Sequence, residues 1–253
     1  KCITDSNAMH KGLLHLKKIG AWQGEIKHAR KRSFISLLRK RLTAACHTIA
    51  HMLLPFLILR FIKRSRAKMP TEPVTILDTF MLPGHEKRNR YYDGILDKLT
   101  EKEKLSIRLV PSFYGYSLKQ YYPSLSKLRH QEESFLFKED FLFFSDYTKA
   151  FSHSLRVFKL RPPTIKVRHF DLGSQIKEEL CLFGGHCDAV LGFLNFAFAK
   201  RLGEKGVKLI RTVDWHENQG QDRGWNYGMH KFHPQVMTVG YSPISLSQWH
   251  LSA

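Results

Sequence analysis

An open parallel α/β sheet of Rossmann-like kind with flanking helices, preceded by a basic amphipathic helical leader, is the fold class this 253-residue sequence predicts. Three observations carry the prediction. Short apolar runs of strand composition alternate with segments of helical spacing from residue 74 onward, the pattern of βαβ units. Paired breakers, Pro70 with Pro73 and Pro162 with Pro163, punctuate the chain. The charge is also uneven. Residues 1–70 hold 16 Lys and Arg against Asp5 and Glu25, or +14 of the total +19, and residues 71–253 carry the remaining +5. Such a division fits a basic leader (1–70) joined to one nearly ordinary domain (71–253).

In the leader, Phe34, Leu38, Leu42, Ala45, Ile49, Met52, Phe56 and Leu59 recur at intervals of 3 and 4, one helical stripe. A spanning helix needs about 20 predominantly apolar residues, and His47, His51, Pro55 and Arg60 interrupt every such window. The stripe, flanked by clusters such as Arg30-Lys31-Arg32 and Arg39-Lys40-Arg41, fits an anionic membrane surface. The alternative is a helix packed on the domain or on a partner.

Beyond Pro73, Val74–Leu82 reads as a buried strand, 89–99 as a helix and Ser106–Val110 as a second strand. Phe137, Phe141, Phe144, Thr148, Phe151, Leu155 and Phe158 keep helical spacing and predict one long helix from about Lys138 with a core-facing stripe. A short strand at Ile165–Phe170, helices at Gln175–Leu180, His186–Leu202 and Gln221–Phe232, and strands at Val207–Val213 and Val236–Tyr241 complete the pattern.

Composition excludes several classes. Four Cys are too few for a disulfide scaffold, and no signal peptide opens the sequence, so an intracellular setting is expected. Cys181 and Cys187 match no compact zinc pattern and are expected to be buried structural cysteines; no metal site is expected. Walker A, dinucleotide-fingerprint, nucleophile-elbow and zinc-protease motifs are missing from the sequence. A domain charge of only +5 argues against nucleic acid as a partner.

Chemistry concentrates between Asp214 and Gly228, after a strand and before a helix. That places it at the carboxyl edge of a parallel sheet, where open α/β sheets bind ligands. Asp214, His216 and Glu217 are the acid/base candidates. Asn218, Gln219 and Arg223 are candidates for holding hydroxyls or a phosphate. Asn218 with Gln221 also matches a capping box. A helix start explains those two, but not Trp215-His216-Glu217 or Trp225 to Tyr227. His85, Tyr114 and Tyr116 fall in loops at the same edge; the tyrosines either offer faces for stacking or belong to the core.

Trp215-His216-Glu217-Asn218-Gln219, then Asp222-Arg223-Gly224-Trp225-Asn226-Tyr227-Gly228 through Pro234, then Val239-Gly240-Tyr241 resembles the central block of bacterial surface-carbohydrate (surface polysaccharide) biosynthesis proteins. A looser resemblance covers about residues 74–245. The family is glycosyltransferase-like, with two Rossmann halves between which acceptor and nucleotide-sugar donor meet. The resemblance implies a nucleotide-sugar as co-substrate, no covalently bound cofactor, and a lipid-linked or sugar acceptor. It implies Glu217 as the acid/base or acceptor-orienting carboxylate. The sequence departs from the family by ending soon after the last strand, so it is expected to be the acceptor-side half, working with a separate donor-binding half. The expected place is cytoplasmic, peripheral on the inner face of the cell membrane. The alternatives are a non-catalytic membrane-docked binding or scaffold module, and transfer of a polyol phosphate.

Overall fold

A computed structural model describes residues 2–4, 7–28, 34–61, 69–86, 92–130, 135–161, 165–167, 170–182, 186–217 and 219–241. The chain divides into two compact units, one of Lys1–Ile49 with Phe151–His186 and one of Ala50–Ala150 with Cys187–Ala253.

The first unit is mostly helical. Helices Asn7–Lys18 and Gly173–Leu182 accompany a short parallel pair, Cys2–Thr4 with Ile26–His28. The predicted strand at 165–170 is a minimal antiparallel pair, Lys166–Val167 with Phe170–Asp171.

The second unit contains the predicted sheet. Its strands are β1 (Val74–Met81), β2 (Ile107–Phe113), β3 (Leu209–Trp215) and β4 (Met237–Tyr241). They lie in the order β2–β1–β3–β4, all parallel. The chain leaves β1 for β2 on one side and returns to β3 on the other, so the topological switch point lies between β1 and β3. One face of the sheet packs Leu77, Leu109, Trp215, Tyr92, Tyr121, Leu125 and Leu128 into an aliphatic–aromatic core.

The helix of the basic leader runs from one unit into the other. Helix α1 (Phe34–Phe61) forms as its stripe predicts, but its last turns belong to the sheet unit. Phe56 and Leu59 are buried, the Phe56 ring lies 4.8 Å from that of Tyr147, and Arg60 donates to the Leu142 carbonyl at 3.2 Å. Within Arg39–Phe61 an 18-residue window has a mean hydropathy of 1.7, and the stretch is long and apolar enough to cross a membrane by length and composition. The polar interruptions therefore exclude less than the sequence suggests.

The predicted long helix after Lys138 is broken instead. A 3-10 turn at Lys138–Asp140 precedes α3 (Phe144–Phe151), and a separate turn of helix covers His153–Arg156. The Asp146 carboxylate accepts from the Phe143 backbone N–H at 2.8 Å, which caps a new helix start there. Phe137 and Phe141 are buried whereas Phe144 is exposed, so the stripe is not one face. Helix α2 (Tyr121–Arg129), in a stretch where the sequence shows no clear element, packs Tyr121, Leu125 and Leu128 into the core. Cys187 is exposed, contrary to the expectation of a buried cysteine.

Helices α4 (His186–Glu204) and α5 (Gly220–Phe232) match the predicted spans closely. Gly220, Gly224 and Gly228 recur every fourth residue along α5. A Cβ at Gly224 would run into the Gly192 carbonyl, and one at Gly228 would stand 2.9 Å from Ala199 Cβ. Backbone contact at this crossing accounts for these glycines without any ligand.

Candidate functional site

The sheet face turned toward α4 and α5 carries acids where a core would carry aliphatics. Asp78 on β1 and Asp214 on β3 lie one step beyond the Leu77–Val213 register pair, facing each other across the switch point. Both are buried. Burial pushes the Asp78 carboxyl up from its ordinary value, opposed by the Lys138 ammonium. Burial, with Asp78 close by, pushes Asp214 up to about 7. Two facing carboxyls in low dielectric cannot both ionise cheaply, so the pair holds a proton near neutral pH.

Lys138, on the turn before α3, supplies the counter-charge. It is buried, donating to Ser112 Oγ at 2.8 Å and Asn195 Oδ1 at 2.9 Å. Ser112 Oγ donates to Asp78 Oδ1 at 3.3 Å, and Asn195 Nδ2 donates to the Gln221 carbonyl at 3.1 Å. Hydrogen bonds thus tie β1, β2, α4 and the start of α5 together. Asp78, Lys138 and Asn195 were not singled out by the sequence reading. An Asp inside an apolar strand run was the available signal for the first.

The Asp214–Gly228 segment leaves the sheet directly above the pair. Asn226 Nδ2 donates to Asp214 Oδ2 at 2.6 Å, and His216 Nδ1 stands 3.4 Å from the same oxygen. Asp214 Oδ1 has no hydrogen-bond partner among the described residues. His216 is half exposed, with its imidazole anchored at one nitrogen. Glu217 is exposed and held at both oxygens, by Trp215 Nε1 at 2.9 Å and Gln219 Nε2 at 2.8 Å. Buried Asp222 accepts from the backbone N–H groups of Glu217 and Gln219 at 2.8 and 2.9 Å. The capping box is therefore Gln219 with Asp222, not Asn218 with Gln221. Asn218 lies outside the described residues. Arg223 is exposed on the first turn of α5.

The two other loops are at the carboxyl ends of β1 and β2. His85 is exposed just after Gly84, which adopts φ +84°, a backbone conformation that suits glycine. Tyr114 is exposed, its backbone N–H donating to the Met81 carbonyl and its ring edge-on to Phe80. Tyr116 is buried, stacked on Tyr121 at 5.4 Å, with its hydroxyl 3.4 Å from Glu86 Oε1. Its ring faces are committed to the core, which leaves Tyr114 as the open aromatic of the loop. Burial disfavours the Glu86 carboxylate, but the Ser124 hydroxyl at 2.6 Å, backbone hydrogen bonds at Glu86 and Gly84 and the Lys127 ammonium together hold the carboxyl below its ordinary value.

No group of three or more His, Cys, Asp or Glu side chains among the described residues is arranged to hold a metal ion. The arrangement suits moving a proton at a hydroxyl: an exposed imidazole backed by a buried, proton-sharing acid, beside a fixed carboxylate. Fold and site together define an α/β protein with a Rossmann-like open sheet and a buried pair of acids at its switch point. Compared with family models, curated proteins and solved structures, the chain matches none.

Proposed function

We propose that this chain is a glycosyltransferase-like protein of bacterial surface-polysaccharide assembly, taking part in transfer of a sugar from a nucleotide-sugar to a lipid-linked or sugar acceptor. The observation that carries the reading is the His216–Asp214 pair at the carboxyl end of β3, 3.4 Å apart, beside the topological switch point. The resemblance of the Trp215–Tyr241 block supplies the reaction class.

In this reading, His216 Nε2 takes the proton of an acceptor hydroxyl. The freed oxygen bonds to the anomeric carbon as that carbon's bond to the diphosphate oxygen breaks, and the diphosphate leaves with the electron pair. Asp214 holds the imidazole through Nδ1 and stabilises the imidazolium that forms. Glu217, fixed by Trp215 and Gln219, orients the acceptor hydroxyls, and Tyr114 offers a ring for stacking. Arg223 is the candidate contact to a phosphate.

The test is saturable binding of nucleotide-sugars and oligosaccharide acceptors by calorimetry, with wild type beside His216→Gln and Glu217→Gln. Acceptor binding weakened by Glu217→Gln supports the reading. Binding of neither ligand class by wild type refutes it. Acceptor binding without nucleotide-sugar binding favours the non-catalytic module, a reading supported by the hydrogen-bonded, loop-organising place of Glu217.

A further inference from the structure

Within the sheet unit, an aromatic patch stands uncovered where α1 ends. Leu57 and Phe61, four residues apart on one side of the helix, are 41% and 79% exposed. Phe143 and Phe144 are 46% and 59% exposed. The Arg60 hydrogen bond to the Leu142 carbonyl sets the helix end beside that turn. Large apolar side chains scattered singly on a surface need no explanation, but a contiguous group does.

The surrounding charge is mixed, with a positive balance: Arg60, Arg129, Lys149, Lys200, Arg201 and Lys205 stand against Asp140, Asp146 and Glu204. The Arg201 guanidinium lies 4.4 Å from the Phe143 ring centre, and the Lys205 ammonium donates to the Asp140 carbonyl at 3.0 Å. Burial holds the Lys205 ammonium below its ordinary value; the Asp140 carboxylate opposes this, and Arg60 and Arg201 add to it. The neighbouring acids are already matched, Asp140 by Arg129 and Asp146 and Glu204 by Arg201. Lys149 is exposed on α3, and the sequence continues from Phe61 into Lys63, Arg64, Arg66 and Lys68, which lie outside the described residues.

We propose that this patch is a docking surface for an anionic lipid bilayer, with Phe61, Phe143 and Phe144 entering the boundary between headgroups and acyl chains and Arg60 and Lys205 meeting lipid phosphates. Aromatic rings set among an excess of cations match that boundary, where one side is apolar and the other negatively charged. The proposal places membrane contact on the sheet unit itself, and it stands apart from the chemistry assigned to the switch point.

The experiment is co-sedimentation of the full chain with vesicles of phosphatidylcholine alone and of phosphatidylcholine mixed with phosphatidylglycerol. The chain should bind the mixed vesicles and lose that binding in high salt. The double variant Phe143→Ser/Phe144→Ser should lower partitioning about ten-fold or more, and Arg60→Gln about five-fold. Phe144→Trp should retain binding, and thermal melting of each variant should match wild type. The proposal is overturned if wild type does not bind, or if it binds both vesicle types equally. It is also overturned if the Phe variants bind like wild type, which would leave the contact to the basic leader. A change of oligomeric state in the Phe variants would instead mark a face between copies and would equally overturn it. Nucleotide-sugar binding by the same variants should be unchanged, which separates this test from that of the switch-point site.

Discussion

Replacing Asp214 by Asn should make the protein more stable at alkaline pH and leave it nearly unchanged at acid pH. Asp214 is buried, and its carboxyl is pushed from 3.8 up to about 7 by burial with Asp78 nearby. Because the folded value lies above the unfolded one, the folded chain binds the proton more tightly. The stability this group allows is fully present below the unfolded value and is lost as pH rises through about 7. About three tenfold steps in proton affinity, at about 1.4 kcal/mol each, give about 4 kcal/mol lost by pH 8.5. An Asn cannot ionise, and its oxygen can still accept from Asn226. The proton shared with Asp78 reduces the gain, so Asp214→Asn should stabilise by about 2–4 kcal/mol at pH 8.5. For a unit of this size that is roughly 5–15 °C in Tm. Urea unfolding followed by circular dichroism at pH 3.5 and pH 8.5 measures both ends, and at pH 5 about 1.6 kcal/mol of the loss is already present. Equal destabilisation at the two pH values would falsify the reasoning, because it would mean an ionised, fully compensated Asp214.

Other outcomes follow from the same contacts. Lys138→Met removes the buried ammonium that Ser112 and Asn195 hold and that opposes the rise at Asp78; it should cost about 3–5 kcal/mol near neutral pH and visibly less at pH 5, read by the same urea curves. Gly224→Ala drives a methyl into the Gly192 carbonyl and should cost about 1–3 kcal/mol or more, measured as a drop in Tm, whereas Gly94→Ala, with open space around it, should not move Tm for steric reasons. Any transfer activity should rise as pH passes through about 7, when Asp214 ionises and can hold the imidazolium; a flat profile from pH 6 to 8 speaks against His216 as base. Glu217→Gln, at an exposed position, should change Tm by no more than about 0.5 kcal/mol equivalent while weakening acceptor binding.

Much of the sheet was legible because its signals are local. Val74–Met81, Met237–Tyr241 and the two glycine-flanked helices α4 and α5 are written in apolar runs, spacing and breakers. The Phe series after Lys138 misled because helical spacing says nothing about where a carboxylate will cap a new start, and Asp146 does so at Phe143. Composition changes at Pro70, but packing changes twenty residues earlier, where α1 meets Tyr121 and Tyr147. Of the candidate residues, Asp214, His216, Glu217 and Gln219 are brought together, while Tyr116 is spent on the core. Glycines that read as part of a marker block turn out to be demanded by the crossing of α4 and α5.

The sequence by itself determined the elements, the order of strand and helix, and the segment at the end of β3 where polar groups crowd. These depend on neighbours along the chain. Only the tertiary structure decided that Asp78 stands beside Asp214, that Lys138 reaches Ser112 and Asn195 close enough to act on Asp78, and that Phe61 and Phe143 stay uncovered. Residues 78, 138 and 214 are distant in sequence, and the parallel register and the α4–α5 crossing bring them into one low-dielectric site. What a carboxyl does depends on the charges and solvent within a few ångströms of it, and folding sets that distance.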